Sequence, residues 1–468
     1  MLFATVDYFL FLPLVAAIHW ALQRAGWRTG WLFLASLIFY TAWQPLDTLL
    51  LGGVITFAYG AAREVAARPP ERRGGVLAAS VLVLVAPLLF YKYLHFAAST
   101  VALAIPGLPV PPEQRLPIGI SFYTFQAIAY VVDVRRGQRL ETNFVRFATF
   151  LLFFPHLVAG PILRASVLLE QLGADRRLTR EDVGHAVWRL LVGLVKKLLI
   201  ADVLTVGIVD SVFADPQAFT TLEVLLALYA YTLQIYCDFS GYTDFAIGSA
   251  RLLGFHIPEN FDRPYQALTV GDYWRRWHIT LSDWVRDYVY YPMGGSRVGG
   301  WKVYRNTFMT LLILAVWHGA DWTFVLYGFI HGCAVSLHRF LLTRRRRAGL
   351  GPVRPGPLGV AWRWLLTFHF VVLARILFRA DNLEHAGWVA EALMQPVDWV
   401  LPRFSHHALI VLVAGYAVHL APKRWTLSVR DALLQLPIEL WGALVAALGA
   451  ACVRWGTGAT LSFIYYSF

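Results

Sequence analysis

The residues best suited to chemistry in this 468-residue chain are histidines and acids set within or beside apolar runs. His318 follows the run Phe308 to Trp317 and stands in Trp317-His318-Gly319-Ala320-Asp321-Trp322. An ionisable group at membrane depth is expensive and tends to face a protein interior or a water-filled cavity. The imidazole is therefore either a working group or one satisfied by a backbone carbonyl. Its ordinary pKa lies near neutrality, so it can take the proton of a hydroxyl as that oxygen attacks a thioester carbonyl. Gly319 removes a side chain beside the ring, which leaves room for an acyl chain or tunnel, or else lets two helices approach. Trp317 adjoins the same imidazole.

The second candidate is His278, in Trp274-Arg275-Arg276-Trp277-His278, where Arg275 and Arg276 are basic groups able to meet a donor. Its alternative is a helix-surface histidine at an interface. His331 lies thirteen residues beyond His318 across an expected turn, and His338 seven further along one helix face. A metal site would need three convergent ligands with a fixed second layer, and the spacing indicates none. Asp238 and Asp244, in Cys237-Asp238-Phe239-Ser240-Gly241-Tyr242-Thr243-Asp244, either orient an imidazole or pair with Lys196, Lys197 or an arginine of the central segment. No Gly-x-Ser-x-Gly elbow, phosphate loop of the Gly-x-x-x-x-Gly-Lys type or His-Glu-x-x-His site occurs.

These groups need an apolar scaffold, and the composition describes one. The chain is 58% hydrophobic and 15% charged, whereas soluble chains carry roughly a quarter charged residues, so a polytopic transmembrane helical bundle is expected. The net charge of +12 is concentrated in clusters between apolar runs: Arg24 and Arg28, Arg63 to Arg73, Arg135 to Arg139, Arg176 to Arg180, Arg344 to Arg347 and Lys423 to Arg430. They read as cytoplasmic loops rather than a nucleic-acid surface. The three cysteines indicate no disulfide framework. The first apolar run has Asp7 before it and Arg24 and Arg28 after it, so it should remain as a first span with the N-terminus outside.

Twelve candidate crossings follow: about 3–22, 31–43, 46–62, 75–96, 117–134, 185–213, 222–253, 306–322, 324–342, 360–378, 406–420 and 437–453. That gives roughly 11–13 membrane segments when a re-entrant one is counted. The re-entrant segment is Phe147 to Ile162, interrupted by Pro155, His156, Gly160 and Pro161 and expected to line a cavity. Lys196 and Lys197 fall mid-helix and either snorkel or face that chamber. Residues 254–300 are too polar to cross and too aromatic for a solvated linker, which predicts short helices at the interface or folded into the bundle. Asp272 with Arg275 and Arg276, and Asp283 with Arg286, have the spacing at which helical side chains meet. The whole, 1–468, reads as one membrane-embedded domain: N-terminal spans 1–116, a motif-bearing core 117–343, a basic linker 344–357 and C-terminal spans 358–468.

The order of these motifs resembles the membrane-bound O-acyltransferase family, in its bacterial polysaccharide O-acetylation branch, the alginate type. The resemblance rests on Pro117 to Gln126, Phe153 to Ile162, Gly193 to Lys197 with Ala201-Asp202, Tyr236 to Asp244, Asn260 to Tyr265, Tyr273 to His278, Trp317 to Phe324 with Gly328 to Gly332, and the ending Phe463 to Phe468. It implies a bundle in which a cytoplasmic funnel meets an outside-facing one. It implies His318 and His278 as the family's two site histidines, with no bound cofactor. The donor would be acetyl-CoA or another acyl-CoA or acyl carrier inside the cell, and the acceptor a hydroxyl outside. Expected partners are membrane lipid, a polysaccharide and an extracytoplasmic polysaccharide acetyltransferase or acceptor protein, and the expected location is the bacterial inner membrane. D-alanyl transfer by the same fold, a transporter or channel using buried His and Asp, and a scaffold recruiting a modifying partner are the rival readings.

Overall fold

The structure is a computed structural model that describes residues 3–158, 160–351, 353–397, 400 and 402–456. The C-terminal motif Phe463 to Phe468 lies outside the described residues. Helices dominate, and no strand occurs among the described residues. Four helices are long and apolar enough to cross a membrane: Pro45–Ala67, Arg73–Ala102, Trp322–Arg347 and Pro357–Arg379. Val6–Ala21, His406–Leu420 and Leu440–Cys452 are shorter apolar helices. Large side chains such as Leu10, Leu46, Leu82 and Phe329 are exposed on outer faces, a pattern that suits lipid rather than water. The chain is a multi-pass, all-α membrane protein.

Two compact units divide the chain: residues 1–190 with 242–259, and residues 191–241 with 260–468. In the first, helices α1 (Val6–Ala21), α2 (Ala25–Thr41), α3 (Pro45–Ala67), α4 (Arg73–Ala102) and α5 (Ile120–Arg135) precede α6 (Phe144–Leu152), which is capped by the Asn143 side chain accepting from Arg146 N at 3.1 Å. The interruption expected after Phe147 is present. Helix α6 stops at Phe153 and a single turn, α7 (Phe154–Leu157), begins with Pro155 in its first turn, where a missing N–H costs nothing. His156 in that turn is fully buried and spent on structure. Gln126 Nε2 donates to its Nδ1 at 3.2 Å, and its Nε2 donates to the Phe150 carbonyl at 3.1 Å. After α8 (Ala165–Leu172), α9 (Arg180–Leu194) leads out of this unit, and α10 (Thr221–Leu252) later returns to it.

In the second unit, α9 is followed by turns in π register at Val195–Ala201 and Thr205–Val209, a local widening common at functional sites. Lys197 emerges from the first of these into a buried cluster, with Asp202 at 2.9 Å and Asp238 of α10 at 2.8 Å. A lysine placed mid-helix therefore neither snorkels nor faces a chamber. The cluster depends on close approach of backbones, because a Cβ on Gly241 would stand 3.2 Å from the Gly193 carbonyl oxygen and 3.3 Å from Lys196 Cβ.

The remaining elements of this unit are α11 (Val270–Arg276), α12 (Ile279–Val285), α13 (Lys302–His318), α14 (Trp322–Arg347), α15 (Pro357–Arg379), α16 (Leu383–Met394), α17 (His406–Leu420), α18 (Lys423–Leu434) and α19 (Ile438–Trp455). Residues 254–300 contain the short helices anticipated there. Helices α13 and α14 form a tight hairpin. A Cβ on Gly328 would lie 2.9 Å from Leu312 Cα, and one on Gly332 would lie 2.7 Å from the Phe308 ring. Asp321 caps α14 by accepting from Thr323 N at 2.7 Å.

Replacing Lys197 with methionine strands two carboxylates in the interior. K197M is expected to lose about 3–5 kcal/mol of stability, measured by equilibrium unfolding in detergent, whereas K197R should retain part of it.

Candidate functional site

The site is built in the second unit around a loop that pins one histidine. Asn260 to Arg263 runs alongside Arg276 to Ile279, with Asp262 N donating to the Arg276 carbonyl and Ile279 N to the Asn260 carbonyl, both at 2.9 Å. Thr269 caps α11 through Asp272 N, and Ser282 Oγ ties α12 to the Trp274 carbonyl at 3.1 Å. Between the two helices His278 adopts φ 44° and ψ 57°, a left-handed conformation that costs a non-glycine residue about 1–3 kcal/mol.

That backbone is held by a side-chain hub. Asn260 Oδ1 accepts from Thr280 N at 3.3 Å and from Thr280 Oγ1 at 2.9 Å, and His278 Nδ1 lies 3.1 Å from it. The backbone N–H of Thr280 identifies that Asn260 atom as oxygen, so His278 must carry its proton on Nδ1, and Nε2 is the basic nitrogen of the neutral ring. Burial pushes the His278 pKa down to about 3 and keeps the ring neutral near pH 7. The ring stands edge-on to Phe239, 4.7 Å between centroids.

His318 joins this cluster from the C-terminal end of α13 and is buried. Its ring centroid lies 6.4 Å from that of His278, 5.0 Å from Trp317 and 5.2 Å from Phe378 of α15, while Trp317 is 5.8 Å from His278. The two histidines and the tryptophan named from the sequence are thus brought together. Of the two roles expected of Gly319, close packing is the one its contacts fit. A Cβ there would drive into the Phe324 ring of α14, so the place a side chain would take next to His318 is already filled.

His331 lies one step away, buried on α14. Trp274 Nε1 donates to its Nδ1 at 3.2 Å, which leaves its proton on Nε2, and that N–H has no acceptor among the described residues. Next to it is a residue that the sequence reading passed over. Arg375 of α15 is completely buried, with Nη2 donating to Tyr273 OH at 2.7 Å and its guanidinium carbon 4.5 Å from the centroid of Trp277 and 5.1 Å from that of Phe378. No carboxylate stands within ion-pair distance of it among the described residues, and neither Nε nor Nη1 has an acceptor there. Cation–π contact contributes up to about 2 kcal/mol when desolvated, less than the several kcal/mol that an ion loses on leaving water. The signal was a charge in the apolar run 360–378, the same signal that marked His318.

The other named residues have ion-pair partners of their own. Asp238 pairs with Lys197, and Asp244, in the first unit, accepts from Arg189 Nη1 at 2.6 Å. Arg275 is 75% exposed and reaches Asp272 at 3.4 Å, and Arg276 Nε donates to Asp272 at 3.0 Å, as their spacing predicts. Asp283 and Arg286 also meet, at 2.5 Å. Among the described residues no three of His, Cys, Asp and Glu converge as a metal site.

The sequence profile of the membrane-bound O-acyltransferase family matches residues 113–379, which contain the whole cluster. The chain is similar to the probable alginate O-acetylase AlgI of Pseudomonas aeruginosa, at 37% identity over 89% of this chain and 79% of that protein. It is 39% identical to the protein of the same description from Azotobacter vinelandii, over 85% of this chain and 79% of that one. It is 35% identical to the peptidoglycan O-acetyltransferase of Helicobacter pylori, over 78% and 73%.

The Gly319 contact can be tested by crowding and relief. G319A is expected to cost about 1–3 kcal/mol by overpacking and to reduce turnover. The pair G319A/F324L should recover most of the stability, as read from thermal unfolding in detergent.

Proposed function

This chain belongs to the membrane-bound O-acyltransferase family, and on that premise we propose that it takes an acetyl group from acetyl-CoA on the cytoplasmic side of a bacterial inner membrane. The group passes across the membrane to a hydroxyl acceptor, for O-acetylation of an alginate-like exopolysaccharide. The observation that carries the proposal is the buried group of His318, Trp317 and His278, two imidazoles 6.4 Å apart within the region shared with the family.

His318 acts as general base. It takes the hydroxyl proton as the acceptor oxygen bonds to the thioester carbonyl carbon and the carbonyl electron pair moves to oxygen. Collapse restores the C=O bond and breaks C–S, and the departing thiolate recovers the proton from the imidazolium. His278, neutral and presenting Nε2, assists by accepting a hydrogen bond from the incoming hydroxyl or from water. The aromatic walls exclude bulk water, which protects the thioester from hydrolysis and strengthens each polar contact. An extracytoplasmic acetyltransferase or acceptor protein completes delivery to the polymer. The similarity to acetylases at 37% and 39% identity supports acetyl as the transferred group.

The test is transfer of radiolabelled acetyl from acetyl-CoA by purified protein in nanodiscs, with cell-envelope acceptors present. Wild type should label an acceptor, and H318A should fall by about 10²–10⁴-fold while still inserting and folding. Label delivered only from a D-alanyl thioester would replace the acetyl assignment. Solute flux without thioester consumption would replace the enzymatic one.

A further inference from the structure

Arg375 is a fully buried charge in the second unit that the acyl-transfer scheme leaves unexplained. Lys197, equally buried, is matched by two carboxylates. Arg375 is matched by none among the described residues, and the side chains around it include the neutral aromatics Tyr273, Trp277 and Phe378, with the tyrosines Tyr231, Tyr265 and Tyr327. Its Nε and Nη1 are donors without acceptors among the described residues, as is the Nε2–H of His331. Tyr273 links the two, its hydroxyl bonded to Arg375 and its ring 6.5 Å from that of His331. Phe378 links Arg375 to the site, with the guanidinium carbon 5.1 Å from its centroid and the His318 ring 5.2 Å away.

We propose that Arg375 holds the acyl carbonyl oxygen of the thioester donor and takes the negative charge that forms on it when the hydroxyl attacks, with the Nε2–H of His331 as an additional donor. This rests on the acyl-transfer reading given above. The chemistry of the pocket selects the ligand: the unpartnered Arg375 and His331 nitrogens are donors, and they call for an acceptor. One fixed positive charge among neutral aromatics suits one negative charge and is too little for a polyphosphate. A thioester carbonyl is neutral in the bound donor and carries one negative charge in the tetrahedral adduct, so the guanidinium grips the adduct harder than the donor, which is the condition for acceleration. In that step the O–C bond forms, the C=O pair moves to the oxygen beside Arg375, and His318 holds the hydroxyl proton. Collapse returns the pair, and the thiolate leaves with the proton.

A purely structural arginine would behave differently. Loss of a buried charge that has no carboxylate partner should not weaken the fold, because a well-packed apolar residue there avoids the desolvation penalty. R375M is therefore expected to melt at or above the wild-type temperature while kcat with acetyl-CoA falls about 10²–10³-fold and KM changes little. R375K, which keeps the charge but not the planar fork, should recover part of kcat.

A binding measurement on the full-length protein in detergent separates this inference from the reading beneath it. Two probes are compared by calorimetry: carboxymethyl-CoA, which presents a carboxylate near the acyl position, and S-ethyl-CoA, a neutral thioether. Wild type should prefer the carboxylate probe by about tenfold or more, and R375M should lose that preference. Equal binding of both probes by wild type, or an unchanged preference and kcat in R375M, would overturn the role of Arg375 and leave the donor assignment standing. Wild type binding neither probe overturns the thioester-donor reading and this inference with it. If R375M does not accumulate, R375K decides: reduced kcat in a folded protein is expected, and full kcat refutes the assignment.

Discussion

Three donors on Asn260 Oδ1 set the geometry on which the site depends. The oxygen accepts from Thr280 twice and from His278 Nδ1, so it fixes the left-handed backbone at His278 and the tautomer of its ring in one place. For a fully buried side chain, a strained histidine with an undetermined tautomer would be costly and chemically undefined. Bonded in this way, its ring is held 5.8 Å from that of Trp317 and 6.4 Å from that of His318. The hairpin of α13 and α14 supplies the other half. Its crossing is close because Gly328 and Gly332 leave no Cβ between the helices, and its turn at Gly319 is closed by Phe324. Strain at one histidine and crowding at the other are both offset by contacts in the same unit.

Buried charge divides into two kinds in this protein. Lys197 with Asp202 and Asp238 satisfies itself and joins the π-register turns to α10. It is a structural joint, the lysine pairing that the sequence offered as one of two roles for Asp238. Arg375 is met by Tyr273 OH and by aromatic faces, with no carboxylate in ion-pair distance among the described residues. The difference between a compensated and an uncompensated charge separates architecture from binding here more sharply than burial alone, since both groups are fully inside.

Much of this was legible in the sequence because the relevant rules are local. Apolar runs with basic loops gave the membrane bundle, and i,i+3 and i,i+4 spacing gave the Asp272–Arg275, Asp272–Arg276 and Asp283–Arg286 pairs. A histidine at the end of an apolar run gave His318. What was not legible depends on residues far apart in the chain. The partner of Asp238 is 41 positions away, the hub at Asn260 is 18 from His278, and the ring that fills the space beside Gly319 comes from the next helix. Asn260 was visible only as part of a motif, without a role. Arg375 was visible as a charge in an apolar run, but nothing in the sequence shows that a carboxylate fails to meet it.

The central claim is that transfer occurs at the cluster of His318, His278 and Trp317. The most direct measurement is an electron cryomicroscopy structure of the wild-type protein with acetonyl-CoA, whose ketone cannot be cleaved as a thioester. The account predicts the ketone carbon beside His318, with space for one hydroxyl oxygen about 2.6–3.2 Å from the imidazole and about 3–3.5 Å from that carbon. A ketone bound away from His318, with the cluster still closed by its own side chains, would contradict it.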